Sequence, residues 1–302
     1  MRLSCGDDMA IYDYDLPFRN QIGPAPMPAL QIRALISLCL LVGMSISYRC
    51  AAAELGGDVP DTRSRIENAA PANSANGWNG TAGAGFIGFP QYTGGKKLQT
   101  WLIPLLSINY NETFYVEIER VGVYVLASDD KKIGLGLAVE PRFGFNASAN
   151  SRLAGMATRR NSVEGGLTFD WDFEFVAFSV AHFTDFSHTS RGSSQRLTVY
   201  TPFVKNSRWE VGGVLMADRM SARVTNYFFG IRPNEATLTR PAAPLRASTG
   251  EGLGLSGTYK IDKKQAVLFG GNVMAIGREA AKSAIVQTRS APQLYLAYGW
   301  QL

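Results

Sequence analysis

Cysteine is scarce in this chain, and the three cysteines present all lie near its beginning. Cys5, Cys39 and Cys50 precede residue 54, so the chain beyond that point contains none. Small secreted domains commonly depend on disulfides to supplement a small core. The sequence therefore excludes a disulfide-stapled domain. With only two histidines, it also offers a poor ligand set for a metal site, and we expect no metal or other cofactor.

Long hydrophobic runs are also missing beyond residue 53, although 46% of all residues are hydrophobic. No stretch there is long and apolar enough to predict a membrane-spanning helix. One shorter apolar run, residues 34–46, follows Arg33 and precedes the small residues Ala51, Ala52 and Ala53. This order is typical of a secretory signal peptide. The alternative is an uncleaved anchor, for which the run is short.

The signal-peptide pattern divides the chain into three parts. Residues 1–53 are expected to be an N-terminal extension plus signal peptide, with 27–53 as the true signal because the acidic residues before Met27 do not suit one. Residues 54–77 are polar and are expected to form a flexible periplasmic segment. Residues 78–302 hold the strand-like runs.

The net charge is modest, at +5, and it is not concentrated in one stripe. The charges of residues 1–53 cancel, and the remaining basic residues are scattered in pairs such as Lys131-Lys132 and Lys263-Lys264. A nucleic-acid-binding face would gather them on one surface. We therefore expect no nucleic-acid partner.

Apolar residues recur at period two throughout residues 78–302, which indicates strands with one apolar face. In residues 133–143 the apolar positions alternate with Gly134, Gly136, Ala138, Glu140 and Arg142. The last strand shows the pattern most clearly, with large apolar side chains at Leu294, Leu296, Tyr298, Trp300 and Leu302. A β-sandwich would also alternate, and the period alone does not separate it from a barrel.

Aromatic residues near the ends of the runs favour a transmembrane barrel over a sandwich, because such barrels carry aromatic girdles. The residues that suggest these girdles are Phe143, Phe145, Trp171, Phe183, Phe186, Trp209, Tyr259 and Trp300. In a barrel the polar face lines the lumen and the apolar face meets lipid. The candidate lumen-facing charges are Glu140, Arg142, Glu164, Asp170 and Asp172, and the apolar positions of the last strand are the candidate barrel-insertion signal.

The connections alternate between short and long, as expected for periplasmic turns and extracellular loops. Eleven runs can be counted, whereas a bacterial barrel has an even number of strands. Either a long N-terminal run is split, or residues 227–231 form a further strand. The sequence thus predicts an all-β, antiparallel up-and-down transmembrane barrel of about twelve strands, with ten as the alternative.

One segment could in principle carry catalysis. His182, Asp185, Ser187 and His188 supply a base, an orienting acid and a nucleophile within a short span. On one strand, however, Asp185 and Ser187 share a face and the histidines lie on the other. We expect no enzyme here, and an outer-membrane hydrolase stays the least favoured alternative.

Four local patterns occur in order along the chain: residues 85–94 (GFIGFPQYTG), 153–156 (LAGM), 227–231 (YFFGI) and 234–236 (NEA), followed by the aromatic last strand. In this order they resemble the MipA/OmpV family of Gram-negative outer-membrane proteins. Two departures are Ser283-Ala284, where the family usually has Ser-Pro, and Leu302, where it commonly ends in Phe.

The resemblance implies a non-enzymatic barrel in the outer membrane, exported by a cleaved signal peptide. Its implied partners are outer-membrane lipid, the barrel-assembly machinery and, as in the family's namesake, a periplasmic murein hydrolase or synthase for which the barrel is a scaffold. Because other members are described as porin-like, a narrow channel for small polar solutes is the alternative function.

Overall fold

The computed structural model describes residues 77–302, except 112, 129, 131 and 174. Within these residues, twelve antiparallel strands close into one barrel, with each strand paired to its neighbours in the chain and the last paired to the first. The strands are β1 Trp78–Pro90, β2 Leu98–Tyr110, β3 Phe114–Val116, β4 Val121–Ala127, β5 Ile133–Arg142, β6 Ser162–Asp172, β7 Ala177–Asp185, β8 Ser193–Lys205, β9 Trp209–Met220, β10 Ser248–Lys260, β11 Gln265–Ala275 and β12 Ser290–Gln301. The predicted up-and-down barrel of about twelve strands is confirmed.

The period-two pattern determines which side of the wall each residue faces. On β5, Leu137 and Val139 are 48% and 43% exposed, whereas Glu140 and Arg142, which follow them along the strand, are 5% and 2% exposed. The small residues Gly134, Gly136 and Ala138 fill the other inner positions. The apolar face is therefore the outer surface of the barrel, and the polar face points into the lumen.

The odd number of runs in the sequence is explained by a hairpin inside one of them. The run 113–126 contains both β3 and β4, joined by a turn at residues 117–120. The other expectation, that 227–231 forms a strand, is wrong. Residues Ala222–Phe229 form a helix, α1. Because Val224, Thr225, Phe228 and Phe229 all fall on its buried face, the aromatic residues follow helical spacing there.

Long and short connections lie at opposite ends of the barrel. The short-turn end carries residues 111–113, 128–132, 173–176, 206–208 and 261–264. The long-loop end carries 91–97, 117–120, 143–161, 186–192, 221–247 and 276–289, although the 117–120 turn lies lower than the rest because β3 pairs only with residues 108–110 of β2. This asymmetry is typical of outer-membrane barrels.

Four of the long-loop segments pack on one another to form a folded cap. We call the cap residues 91–97, 143–161, 221–247 and 276–289. One core within it joins Tyr92, Phe145, Leu153, Met156, Ile231 and Ile285. A second core packs α1 against Leu245, Ile276 and Ala280, with Met220 at the end of β9. Buried apolar contacts between loops distant in sequence make the cap a structured element.

Within the described residues, no helix has the length and apolar character needed to cross a membrane. The expectations for residues 1–53, and for 54–77 apart from Gly77, lie outside the described residues.

Candidate functional site

Six charged side chains from five parts of the barrel form a network in the lumen. We call Arg120, Arg142, Arg196, Glu140, Glu164 and Asp218 the lumen network. Arg142 Nε donates to Glu164 Oε1 at 2.7 Å, and Arg142 Nη1 donates to Asp218 Oδ2 at 3.1 Å. Since β5 and β9 are not neighbouring strands, the second bond spans part of the lumen.

The remaining arginines bridge the carboxylates from the sides. Arg120 Nη2 lies 2.9 Å from Glu140 Oε2, and Arg196 Nη1 donates to the other oxygen of Glu140. Arg196 Nη2 also lies 3.5 Å from Glu164 Oε2. Both Arg120 and Arg196 stack over the ring of Phe183, 5.7 and 5.6 Å from its centroid. Three arginines balance three carboxylates, so the network is neutral as a unit and its buried charges are paired.

The structure divides the five candidate lumen charges into two groups. Glu140, Arg142 and Glu164 lie buried in the lumen network. Asp170 is half-buried and accepts a hydrogen bond from the hydroxyl of Tyr124 at 2.6 Å. Asp172 is exposed at the end of β6, next to the short turn 173–176, at the opposite end of β6 from Glu164.

Sequence reasoning missed Arg120, Arg196 and Asp218. Two of them had a usable signal, because Arg196 and Asp218 face each other in the β8–β9 register and fall on inner period-two positions. Arg120 lies in the turn between β3 and β4, which was read as the middle of one strand. Its position follows only from the hairpin.

The turn between β3 and β4 contributes an apolar side chain to the lumen. Ile118, in this turn, packs against a cluster of inner residues made of Leu105 of β2, Leu268 of β11 and Ala297 of β12. Together with the lumen network, this cluster places packed and paired side chains in the lumen.

A second charged cluster fastens the cap. Arg159 and Glu235 form a buried bidentate pair, with Arg159 Nη1 to Glu235 Oε1 and Arg159 Nη2 to Glu235 Oε2 both at 2.7 Å. Glu235 also accepts from the amides of Ala157 at 2.9 Å and Arg232 at 3.1 Å. Burial alone would raise the pKa of Glu235, but the hydrogen bonds from Arg159 and the two amides outweigh it and lower this pKa to about 2.

The same arginine binds the backbone of a second cap loop. Arg159 Nε donates to the carbonyl of Tyr227 at 2.7 Å, and Nη2 donates to that of Gly230 at 3.0 Å. These carbonyls lie at the end of α1, where helical carbonyls lack partners within the helix. The Arg159–Glu235 pair therefore links the loop 143–161 to the loop 221–247.

In the candidate catalytic segment, the hydrogen bonds of Ser187 stabilise the local loop structure. Ser187 Oγ donates to Asp185 Oδ1 at 2.5 Å and contacts Thr189 Oγ1 at 2.9 Å, and it accepts from the amide of Val163. His182 is exposed on the outer face of β7, and the ring of His188 bonds the carbonyl of Phe186 at 2.8 Å. Among the described residues, Ser187 is hydrogen-bonded to Asp185, Thr189 and Val163. Neither histidine is among these partners.

The apolar face of β12 lies on the outside of the barrel. Leu294, Leu296, Tyr298, Trp300 and Leu302 are all exposed, at 42–68%. Aromatic rings cluster at the short-turn end, where the centroids of Trp171 and Phe173 lie 4.1 Å apart and those of Trp209 and Tyr259 lie 4.5 Å apart. The reading of Phe145 and Phe183 as girdle residues is wrong. Phe145 is buried in the cap and Phe183 in the lumen, because both point inward.

A closed barrel with an apolar outer face, a charged lumen, short turns at one end and long loops at the other is the architecture of an outer-membrane β-barrel. A family model described as "MltA-interacting protein MipA" matches residues 82–302. The chain belongs to this family, as the sequence motifs predicted, and it is an outer-membrane protein of this type.

Solved structures similar to the chain are membrane barrels. The NanC porin is 11% identical with a TM-score of 0.38, over 74% of this chain and 100% of that one. The toluene transporter TodX of Pseudomonas putida is 9% identical with a TM-score of 0.37, over 77% and 91%. The attachment protein Ail of Yersinia pestis is 9% identical with a TM-score of 0.26, over 75% and 99%. No curated protein matches the chain significantly.

Proposed function

We propose that this protein is a non-conducting barrel that holds a periplasmic murein enzyme at the outer membrane, after export by a cleaved signal peptide. The observation that carries the proposal is the set of side chains that occupy the lumen. Ile118 packs against an inner cluster of β2, β11 and β12, and Arg142 is bonded to Asp218 across part of the interior. A diffusion channel for polar solutes needs a continuous aqueous path, which such contacts obstruct. The family description, which names an interaction with MltA, supports a murein enzyme as the partner.

The short-turn end supplies a surface suited to such a partner. Arg208 lies in the turn between β8 and β9, and Lys263 and Lys264 lie in the turn between β10 and β11. These turns are close together because β9 pairs with β10. All three side chains are exposed. A partner with an acidic docking face would be attracted there, with an affinity that falls as salt rises.

Binding experiments with purified components test the docking proposal. The barrel, reconstituted in lipid nanodiscs, is expected to retain a purified murein transglycosylase of the MltA type. The double variant Arg208→Glu and Lys264→Glu should weaken that binding. Lys132→Glu is the matched control, because it reverses an exposed charge in a different turn at the same end. Equal binding by all three proteins would reject the basic turns as the docking surface, and no binding by the unaltered barrel would reject the scaffold.

Planar-bilayer recording tests the non-conducting lumen. The purified barrel should give no stable ohmic conductance. Deletion of the 117–120 turn should make transient current steps through the barrel more frequent. A stable conductance in the unaltered protein would favour the narrow channel instead.

The proposal also holds that the protein is not an enzyme. The His188→Ala variant is expected to leave envelope lipid and ester hydrolysis at the background level of the unaltered protein. Hydrolysis by the purified barrel that disappears in this variant would support the hydrolase instead.

A further inference from the structure

A pocket lies inside the barrel, directly beneath the cap. Its cavity volume is about 50 Å³. Phe89 of β1, Phe229 of α1 and Met274 of β11 supply apolar surface, and Asp218, Asn272 and Gln293 supply polar groups. Since one water needs about 10–15 Å³ of such volume, the pocket has room for a molecule of several heavy atoms.

Two polar atoms of the lining have no hydrogen-bond partner among the described residues. They are Gln293 Nε2 and Asp218 Oδ1, the second of which lies 3.9 Å from Arg196 Nε, an ion-pair contact too long for a hydrogen bond. The amide oxygen of Gln293, Oε1, accepts from Asn272 Nδ2 at 2.9 Å, which fixes the orientation of the amide. Gln293 is 6% exposed, so its free N–H group is shielded from bulk water. Buried polar groups are normally satisfied, and two atoms without a hydrogen bond in a single pocket therefore indicate that it holds water or a small polar molecule.

The two atoms need hydrogen-bond partners of opposite kinds. Gln293 Nε2 is a donor and needs an acceptor, while the carboxylate oxygen of Asp218 needs a donor. A hydroxyl group can supply both roles. The aromatic and thioether side chains of Phe89, Phe229 and Met274 would pack on a short carbon skeleton.

The charge of the lumen network decides between a neutral and a charged occupant. Asp218 already pairs with Arg142 Nη1 at 3.1 Å and has Arg196 Nε at 3.9 Å. A cationic molecule would add an unbalanced charge to three arginines and three carboxylates that cancel, and an anion would face Asp218 directly. Burying an unpaired charge is far more costly than burying a hydroxyl group that finds both partners.

We propose that this pocket binds a small neutral hydroxylated molecule, with hydroxyl groups bonded to Asp218 and Gln293 and its carbon skeleton against Met274 and Phe229. The site is separate from the docking surface at the short-turn end, and it does not depend on the proposed scaffold function. It lies at the end of the barrel that faces the cell exterior in the usual orientation of such barrels.

Saturation-transfer NMR on the full barrel in detergent micelles tests the site, with butane-1,2-diol as the probe and 2-aminobutan-1-ol as its cationic analogue. We expect a saturable signal for the diol and a weaker one for the amine. Gln293→Met should lower the diol affinity about tenfold, as expected for the loss of one buried hydrogen bond. Ala291→Leu should do the same, because Ala291 lines the pocket and the larger side chain would fill it.

Gln99→Met is the matched control. Gln99 Nε2 is also a buried amide group without a partner, but Gln99 does not line the pocket. The control should therefore keep the diol affinity of the unaltered protein, and heat-modifiable gel migration checks that each variant is folded. A diol signal that is absent, or that is equal in all four proteins because the probe partitions into the micelle, would overturn the proposal and leave only water in the pocket.

Discussion

The Glu235→Gln substitution should open the cap without unfolding the barrel. Glu235 is 3% exposed and its partner Arg159 is 1% exposed. Removing one partner of a buried ion pair leaves the other charge uncompensated, at a cost of about 3–5 kcal/mol. The lowered pKa gives a similar figure independently, because a shift from 4.5 to about 2 corresponds to about 3 kcal/mol.

Limited proteolysis measures this loss directly. When opening is fast, cleavage of a folded segment follows the population of its open form, so about 3 kcal/mol predicts roughly 100-fold faster cleavage. Trypsin can report on the cap because Arg152, Arg160 and Arg246 lie within its loops. The experiment uses the barrel in micelles at neutral pH, with the cut sites identified by mass spectrometry.

Glu279→Gln is the control for this experiment. It also removes an acidic partner within the cap, but the Glu279–Lys282 pair is exposed to solvent. Exposed pairs contribute little, so its cleavage rate should stay close to that of the unaltered protein. Cleavage of the Glu235→Gln cap within threefold of this control would refute the argument that the buried pair fastens the cap.

Three further predictions concern pH, closure and the lumen. Because the folded pKa of Glu235 lies below its ordinary value, the stabilisation that Glu235 gives to the cap is complete above about pH 4.5 and is lost as the pH falls toward 2. The amides bonded to Glu235 should lose protection from hydrogen exchange over that range, after correction for intrinsic rates. Gly83→Ala should impair closure of the barrel and reduce its heat-modifiable gel migration, since an added Cβ would meet the carbonyl oxygen of Tyr298. Gly88→Ala is the control, because an added Cβ there has its nearest contact at 3.8 Å and migration should stay normal. Arg196→Met should lower the denaturation midpoint, with a loss of about 3 kcal/mol in the free energy of unfolding, and an unchanged midpoint would show that Arg196 is dispensable.

The wall of the barrel was largely predictable from the sequence because its pattern is local. Strands such as β5 alternate strictly between large apolar and small or polar residues, and the lipid environment enforces that alternation. The β3–β4 hairpin was missed because its turn, Glu117 to Arg120, contains neither glycine nor proline. The apolar residues on either side made one continuous run.

The contacts that hold the cap together could not be predicted in the same way. Arg159 and Glu235 are 76 residues apart in sequence, and no local spacing marks them as a pair. A strand at residues 227–231 was one of two alternatives because the Tyr-Phe-Phe sequence within α1 has high strand propensity. In the folded protein, burial of α1 against Leu245 and Ala280 decides the conformation instead.

The pairing of β12 with β1 has a consequence for how this protein can fold. Gly83 pairs with Gly299, so the ring joins segments roughly 200 residues apart, and contacts of such high sequence separation form slowly. Until the two segments meet, β1 has an open edge of unpaired backbone groups, which invites association with other chains. The edge of β1 therefore stays open to other chains for as long as the ring is incomplete, and closure by β12 removes it.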